Sequence, residues 1–427
     1  MKAVLLAAGE GQRLQPVTST RPKHLIKLAG KPILQYCLDA VKTAGITDVV
    51  IVTHYMSDKI KTYFSDGSSQ GLSITYVEQK EILGTGNAAA VAEPYVDGEF
   101  VLIYGDLLFA QDAVKQAVDL YHSAGADAVL AVVPVDKPES YGIIEFAEGK
   151  KLKRIVEKPE ASKAPSNLAN AGVYVLSSDV FEKLRHVKKS VRGEWELTDA
   201  LTMLAAEGKT VLIAELAKDA WFDVGRPWDL LDANVWALKH MEPQVLGKIE
   251  QGAHLIGPVY VAESARVRSG AYIEGPVFID EEADVGPNCF IRSGTSLGKK
   301  TRVGNAVEIK NSLVMDGTHI GHLSYVGDSV IGENCNFGAG TITANLRFDG
   351  GKIKMTIKDK SVDTGRRKLG IVLGDNVKTG IKASFMPGVK VGANTWVGAN
   401  FMVTRDLPSD SIVLLKQEQD VQPRKHT

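Results

Sequence analysis

The 427-residue chain is poor in several things that would each announce a class of protein. Its only cysteines are Cys37, Cys289 and Cys335. They lie too far apart for a zinc site or a disulfide framework, so buried thiols in a reducing compartment are expected. No apolar stretch approaches the ~18 residues that span a bilayer. The opening Met1-Lys2 and the apolar run after it lack the charged, apolar and cleavage regions of a secretory signal. A cytoplasmic protein with no membrane association is the expectation. Net charge is also missing: 50 Lys+Arg against 51 Asp+Glu leave −1. No global basic field collects nucleic acid, so any phosphate recognition has to be local. With 44% hydrophobic and 24% charged residues the chain is globular in type, and its length argues for about two or three domains.

The densest signal is local. The apolar run Ala3–Ala8 stops at Gly9-Glu-Gly11-Gln-Arg13-Leu14-Gln-Pro16, followed by Arg21-Pro22-Lys23. A buried strand ending in a glycine turn presents backbone N–H groups at one place, with Arg13 and Lys23 close behind, and that combination suits a polyanion. Two familiar glycine loops are excluded. A dinucleotide fingerprint needs a third glycine where Leu14 stands, and a P-loop needs Gly-Lys-Ser/Thr at its end.

This spacing resembles the signature of the sugar-1-phosphate nucleotidylyltransferases. The resemblance implies that the backbone of Ala8, Gly9 and Gly11 approaches a nucleoside triphosphate, UTP or dTTP. Arg13 would guide the departing pyrophosphate, and Lys23 would steady the α-phosphate and the incoming sugar phosphate. Nucleotidyl transfer requires positioning and charge neutralisation, with Mg²⁺ on oxygen ligands. Gly105-Asp106 after the run Phe100–Tyr104, and Asp223 in Trp221-Phe-Asp-Val-Gly, match the family at its metal-binding aspartates. Gln79 with Gly84-Thr85-Gly86 resembles the base-recognition segment. Tyr141-Gly142, Glu157-Lys158 and Asn170-Ala-Gly172 resemble the sugar-binding segments, Glu157 meeting sugar hydroxyls and Lys158 the phosphate. Alanine at Lys23 or Asp106 is expected to remove this activity from a folded protein, neither residue being read as core.

Two periodicities divide the chain. Up to about residue 230, short apolar runs (Ala3–Ala8, Asp48–Thr53, Phe100–Tyr104, Ala128–Val133) alternate with helical patterns (Pro32–Ala44, Thr85–Glu93, Gln111–Ala124). This predicts an α/β, Rossmann-like domain over 1–228, its mainly parallel sheet covered by helices on both faces. From about 255 the period is six: Val261, Val267, Ile273, Ile279, Val285, Ile291, Leu297, Val303 and Ile309, each with a smaller or β-branched residue two positions earlier. The period returns at Leu373, Phe385, Val391, Val397 and Val403, with Thr379 the one departure. The pattern resembles the hexapeptide repeat of the left-handed parallel β-helix, in which each coil buries its inner residues against the next. The expected boundaries are a helical linker at 229–250, the β-helix at 251–410 and a tail at 411–427. Residues 346–370 lose the period and are basic, which reads as a solvated excursion that could also carry binding groups.

A solenoid of this kind can serve only oligomerisation or regulation. Against that stands Gly321-His-Leu-Ser-Tyr-Val-Gly-Asp328, followed by Gly338-Ala-Gly-Thr-Ile-Thr-Ala-Asn345. If Ile320 and Val326 point inward with Ser324, His322 and Tyr325 lie outside the core. These segments resemble the acetyltransferase site of the bifunctional glucosamine-1-phosphate acetyltransferase and N-acetylglucosamine-1-phosphate uridylyltransferases. An amino sugar is mostly ammonium at neutral pH and needs a base before it attacks a thioester; histidine, titrating near ~6.5 as a residue type, suits that task. The resemblance makes His322 the base, with Tyr325 and Asn345 positioning the amino sugar. Arg302 and Lys310 would hold its phosphate, and the coils from Ala383 to Val403 would receive acetyl-CoA. After Asn345 the bacterial pattern of a tyrosine and a short lysine-bearing loop is replaced by Leu346-Arg347-Phe348 and the long excursion. This resembles the archaeal-type branch, where Lys352 or Lys354 could take the lysine's role and galactosamine 1-phosphate could be a second substrate. The partners implied are sugar 1-phosphates, a nucleoside triphosphate, acetyl-CoA and two further copies of the chain in a homotrimer. A single-activity pyrophosphorylase and a nucleotide-sugar sensor are the alternatives. The first gives no reason for His322, Tyr325 and Asn345, and the second predicts damage to Arg13, Lys23, Asp106 or Asp223, all of which are present.

Overall fold

A computed structural model of the chain describes residues 1–190 and 193–422. The backbone forms two compact units. One comprises Met1–Gly11, Arg21–Lys27 and Lys31–Gly225; the other comprises Gln12–Thr20, Leu28–Gly30 and the chain from Arg226 on.

In the first unit, strand Lys2–Ala7 pairs in parallel with Asp48–Thr53 and with Glu99–Tyr104, and Ser73–Glu78 extends the parallel ladder. Beyond Glu99–Tyr104 the sheet turns mixed: Leu168–Ser177 runs antiparallel to it and to Ala128–Pro134, and leads to Gly142–Phe146 and Leu152–Glu157. The parallel expectation therefore holds for the half that carries the glycine loop. Helices Ile33–Thr43, Thr85–Ala90 and Ala113–Ala124 stand where the periodicity placed them. Successive residues of Lys2–Ala7 serve opposite faces. Ala3, Leu5 and Ala7 join Leu34, Leu38 and Ala117 in one buried cluster, while Val4 and Leu6 join Leu197, Leu201 and Leu204 in another. Burial on both sides is why that run is apolar throughout. It also leaves the strand's carboxyl end as the place where polar chemistry emerges.

The second unit continues with helix Asp229–Lys239. From Lys248 on, strands pair in parallel coil upon coil, giving three sheets of nine, eight and seven strands. These are the three faces of a left-handed parallel β-helix. Val267 stacks on Val285 and Val285 on Val303, and all nine hexad residues from Val261 to Ile309 are completely buried. Burying such a side chain contributes roughly 1.5–3 kcal/mol over leaving it in water, which a single coil could not achieve. Thr379 also points inward; its hydroxyl meets Thr341 Oγ1 at 2.8 Å and accepts the Gly338 N–H at 3.0 Å. The ladder runs past residue 410, because Ile412–Val413 pairs with Trp396–Val397.

The period has a feature the hexad count did not show. From Ile309 to Val314, and from Val326 to Ile331, the step is five residues, yet Ile309 still pairs with Val326 and Val314 with Ile331. Asn311 and Asp328, with φ of +44° and +50°, turn these shortened corners. One coil later the same corner opens into the excursion, between Thr343 and Leu373. The excursion is more than a solvated loop. Lys354–Ile357 and Lys360–Asp363 form an antiparallel hairpin turned by Lys358 and Asp359, and Ile353, Met355 and Ile357 are buried. Arg366 is ion-paired with Asp232. The lysines at 352, 354, 358 and 360 are exposed, as a solvated face requires.

The two short segments of early chain in this unit are tied to it by polar bonds. Thr20 Oγ1 donates to Asp375 Oδ2 at 2.6 Å, and the Ala29 N–H to Asn234 Oδ1 at 3.2 Å. Gly30 has φ of +81°, and a Cβ there would lie 2.3 Å from the Phe278 ring, so that position admits only glycine. Cys37, Cys289 and Cys335 are all buried, and none is in a disulfide. Among the described residues, no helix is long and apolar enough to cross a membrane.

Candidate active sites

Strand ends assemble the first site. Leu107–Phe109 pairs antiparallel with Trp221–Asp223, setting Leu107 opposite Asp223, so the residue after Tyr104-Gly105 and the end of a distant strand reach the same place. Asp106 and Asp223 line a cleft of about 220 Å³, together with Thr85, Gly142, Glu157, Lys158 and Asn170. Lys23 Nζ donates to Asp106 Oδ2 at 2.7 Å. Lys23 is only 5% exposed, which corrects its reading as a residue outside the core. Pro22 precedes it in extended conformation and opens the short turn Lys23–Leu25. Two carboxylates are hard oxygen donors of the kind Mg²⁺ takes when substrate phosphates and water complete its shell, so the residues present fit that ion.

Gly142, Glu157, Lys158 and Asn170 are held firmly. Gly142 is opposite Glu157, and a Cβ on Gly142 would come 3.0 Å from Glu157 Oε2. Lys158, at φ of +47°, donates its N–H to the Tyr141 carbonyl at 2.9 Å. Asn170 Nδ2 donates to the Tyr174 hydroxyl at 2.6 Å, and that hydroxyl to Tyr104 at 2.9 Å. Burial raises both phenols, Tyr104 to about 12 and Tyr174 well above its ordinary value. Gln79 is buried, its Nε2 donating to Asn87 Oδ1 at 2.7 Å. A Cβ on Gly84 would meet the Trp195 carbonyl at 2.5 Å, and Thr85 Oγ1 accepts the Leu197 N–H at 3.1 Å. Ala8 is buried, Gly9 is exposed, and Gly11 has φ of +65°. Arg13 is exposed in the turn Gln12–Leu14, which groups with the second unit.

Sequence reading missed Tyr104, Tyr174, Glu194 and Glu196, all cleft-lining or bonded to cleft residues. A tyrosine inside a buried strand was a usable signal, since its hydroxyl needs a partner. So was the Glu-Trp-Glu of 194–196. His24, next to Lys23, is buried, and that burial holds its imidazole down at about 4, with Asp106 raising it and Lys23 lowering it in smaller measure.

In the second unit, Ile320, Ser324 and Val326 are buried, leaving His322 exposed and Tyr325 half-buried, as the hexad phase required. His322 ends one face opposite Asn305, and Tyr325 begins the next opposite Glu308. Asn345 Nδ2 donates to Tyr325 Oη at 3.0 Å. Lys310 Nζ lies 3.1 Å from the Asp328 carboxylate on that same face. Arg302 stands on the His322 face, its guanidinium donating to the carbonyls of Asp284, Gly286 and Val303. Ala383 is fully buried, with its N–H on Gly380 and its carbonyl accepting from Ile342; its outward neighbours Ile381 and Lys382 are what the coil exposes.

A two-faced α/β sheet, with two aspartates lining one cleft and a buried lysine bonded to the first of them, joined to a hexad β-helix, defines a nucleotidyl transferase with an acyltransferase-type solenoid. Comparison agrees for both halves. The nucleotidyl transferase family matches residues 2–240, and the C-terminal domain of the GMPPB family matches 273–381. The chain is 46% identical to the bifunctional protein GlmU of Methanocaldococcus jannaschii over 98% of each chain. It is 41% identical to the bifunctional sugar-1-phosphate nucleotidylyltransferase/acetyltransferase of Sulfurisphaera tokodaii, over 95% of this chain and 98% of that one. A UDP-glucose pyrophosphorylase solved with UDP-glucose matches with a TM-score of 0.51 and 28% identity, over 56% of this chain and 99% of that one. The chain belongs to the family of bifunctional sugar-1-phosphate nucleotidylyltransferase/acetyltransferases.

Two outcomes follow from the buried lysine and its neighbour. Asp106→Ala strands the Lys23 ammonium and should cost about 3 kcal/mol, whereas Lys23→Ala leaves a partly hydrated carboxylate and should cost about 1 kcal/mol; equal denaturation midpoints would contradict the pairing. For His24 the unfolded imidazole titrates near ~6.5 and the folded one at about 4. Between those values only the unfolded chain takes the proton, so stability is complete above about pH 6.5 and falls by about 3 kcal/mol as pH drops toward 4. His24→Gln should flatten that slope in denaturation series at pH 7 and pH 5.

Proposed function

We propose that the chain makes a nucleotide sugar in two steps. The second unit acetylates glucosamine 1-phosphate with acetyl-CoA, and galactosamine 1-phosphate as a second substrate. The first couples N-acetylglucosamine 1-phosphate, or glucose 1-phosphate, to UTP or dTTP and releases pyrophosphate. The observation that carries the two-site reading is the Asn345–Tyr325 hydrogen bond beside an outward-facing His322: a solenoid used only for assembly has no need of it.

In nucleotidyl transfer a sugar-phosphate oxygen attacks the α-phosphorus and pyrophosphate departs. Lys23, fixed on Asp106, faces the reacting phosphates, and Arg13 is assigned to the outer ones. The backbone at Ala8, Gly9 and Gly11 takes the triphosphate. Gln79, Gly84 and Thr85 take the base, and Gly142, Glu157, Lys158 and Asn170 the sugar phosphate. Asp106 and Asp223 would hold Mg²⁺, which when bound neutralises charge on the phosphates.

In acetyl transfer His322 accepts a proton from the amino group as nitrogen attacks the thioester carbonyl, and coenzyme A leaves as the thiol. Tyr325 and Asn345 orient the amine, Arg302 and Lys310 face the phosphate, Lys352 or Lys354 supplies a cation from the excursion, and the coils from Ala383 to Val403 take acetyl-CoA. We assign a cytoplasmic homotrimer. Exposed Ile342, Trp396, Met402 and Ile412 on the outer faces support side-by-side association.

Purified protein given glucosamine 1-phosphate and acetyl-CoA should release thiol, and His322→Ala should reduce the rate at least ~100-fold while sparing UDP-sugar formation. Thiol release that survives in the variant, or none from the native protein, contradicts the reading, and the latter favours a single-activity enzyme. Sedimentation should report three chain masses; a monomer at micromolar concentration would reject the assembly.

A further inference from the structure

Asp328 closes the segment Gly321–Asp328 but holds none of the roles given to His322, Tyr325 and Asn345, yet side chains from three successive coils meet on it. Its side chain is 4% exposed. The carboxylate accepts from Asn311 Nδ2 at 2.8 Å, from Lys310 Nζ at 3.1 and 3.2 Å, and from Asn345 Nδ2 at 2.6 Å. The shortened corners create this meeting point, since the Gly327–Val330 corner stacks directly on Lys310–Leu313.

The corner's shape does not require the charge. Neutral asparagine holds the same left-handed conformation at 288, 311, 376 and 394. A buried carboxylate is costly unless it is paired and hydrogen-bonded, so its presence asks for a reason beyond the turn.

The reason lies in hydrogen-bond polarity. An ionised carboxylate only accepts, so Asn345 has to turn its nitrogen toward Asp328. The second hydrogen of that nitrogen goes to Tyr325 Oη at 3.0 Å. Both amide hydrogens are then committed, and Asn345 has only its carbonyl oxygen to offer a ligand. Tyr325, already accepting, has its own O–H to donate. Gly327 keeps the pair in register, because a Cβ there would lie 2.5 Å from Tyr325 Oη and 2.7 Å from Asn345 Nδ2. Resting on the acetyl-transfer reading, we infer that Asp328 is a positioning residue that fixes the orientation of the Asn345 amide. The amino sugar thereby meets an acceptor at Asn345 and a donor at Tyr325. The acceptor suits an attacking amine's N–H, and a flipped amide would turn the amine away.

The test is a double-mutant cycle in the full-length enzyme with glucosamine 1-phosphate and acetyl-CoA. Asp328→Asn should lower kcat for thiol release by about 10- to 100-fold. It should leave the KM for acetyl-CoA and the rate of UDP-sugar formation unchanged. In the Asn345→Ala background it should cost nothing further. Native kcat in Asp328→Asn, or losses that multiply with Asn345→Ala, overturns the assignment. If Asp328→Asn does not melt cooperatively, Gly327→Ala replaces it. That variant displaces the same two atoms with the carboxylate intact, and a loss that vanishes in Asn345→Ala supports the inference while a multiplying loss overturns it. Absence of thiol release from the native enzyme is a separate result: it removes the acetyl-transfer reading, and this inference with it.

Discussion

Inward side chains of the second unit stand one coil above another, and the ladders between coils hold each outward residue over its predecessor. That stacking is the constraint on which the second unit depends. A rigid lumen tolerates a missing residue only at a corner, where the turn can tighten while the inward positions stay in line. Both five-residue steps occur at one corner, and the excursion leaves from that same edge a coil later. Polar residues that the period would spread along a face are thereby collected into a column, and the Asn345–Tyr325 pair stands at its end.

The first unit solves a different problem. A sheet buried on both faces has polar space only at its strand ends, so the residues following Ala7, Glu78 and Tyr104 inherit the chemistry. Antiparallel pairing of Leu107–Phe109 with Trp221–Asp223 then recruits a carboxylate from more than a hundred residues away. Burying Lys23 raises the value of its bond to Asp106, since the ammonium has little water to fall back on.

Much of this was legible. The hexad phase placed its nine aliphatic residues from Val261 to Ile309 in the lumen, because a residue facing a dry interior has few alternatives. The strand–glycine–cation spacing pointed to a nucleotidyl transferase half, and that family matches residues 2–240. What escaped had distant or cancelling signals. A five-residue step keeps an aliphatic residue inside and so looks like a slip in the count. Lys23 reads as lying outside the core because the aspartate that lets it be buried lies 83 residues on. The excursion's hairpin was masked by its lysines, although Ile353, Met355 and Ile357 alternate with period two.

The three buried thiols have a practical corollary. Burial pushes the Cys37 and Cys289 sulfurs upward, Cys289 to about 12, and Cys335 Sγ donates to the Gly374 carbonyl at 3.3 Å. A chromogenic disulfide reagent attacks thiolates that it can reach, and the native fold offers none of these three. The protein is therefore optically silent toward such reagents, and a cysteine introduced on an outer coil face would be its sole labelling handle.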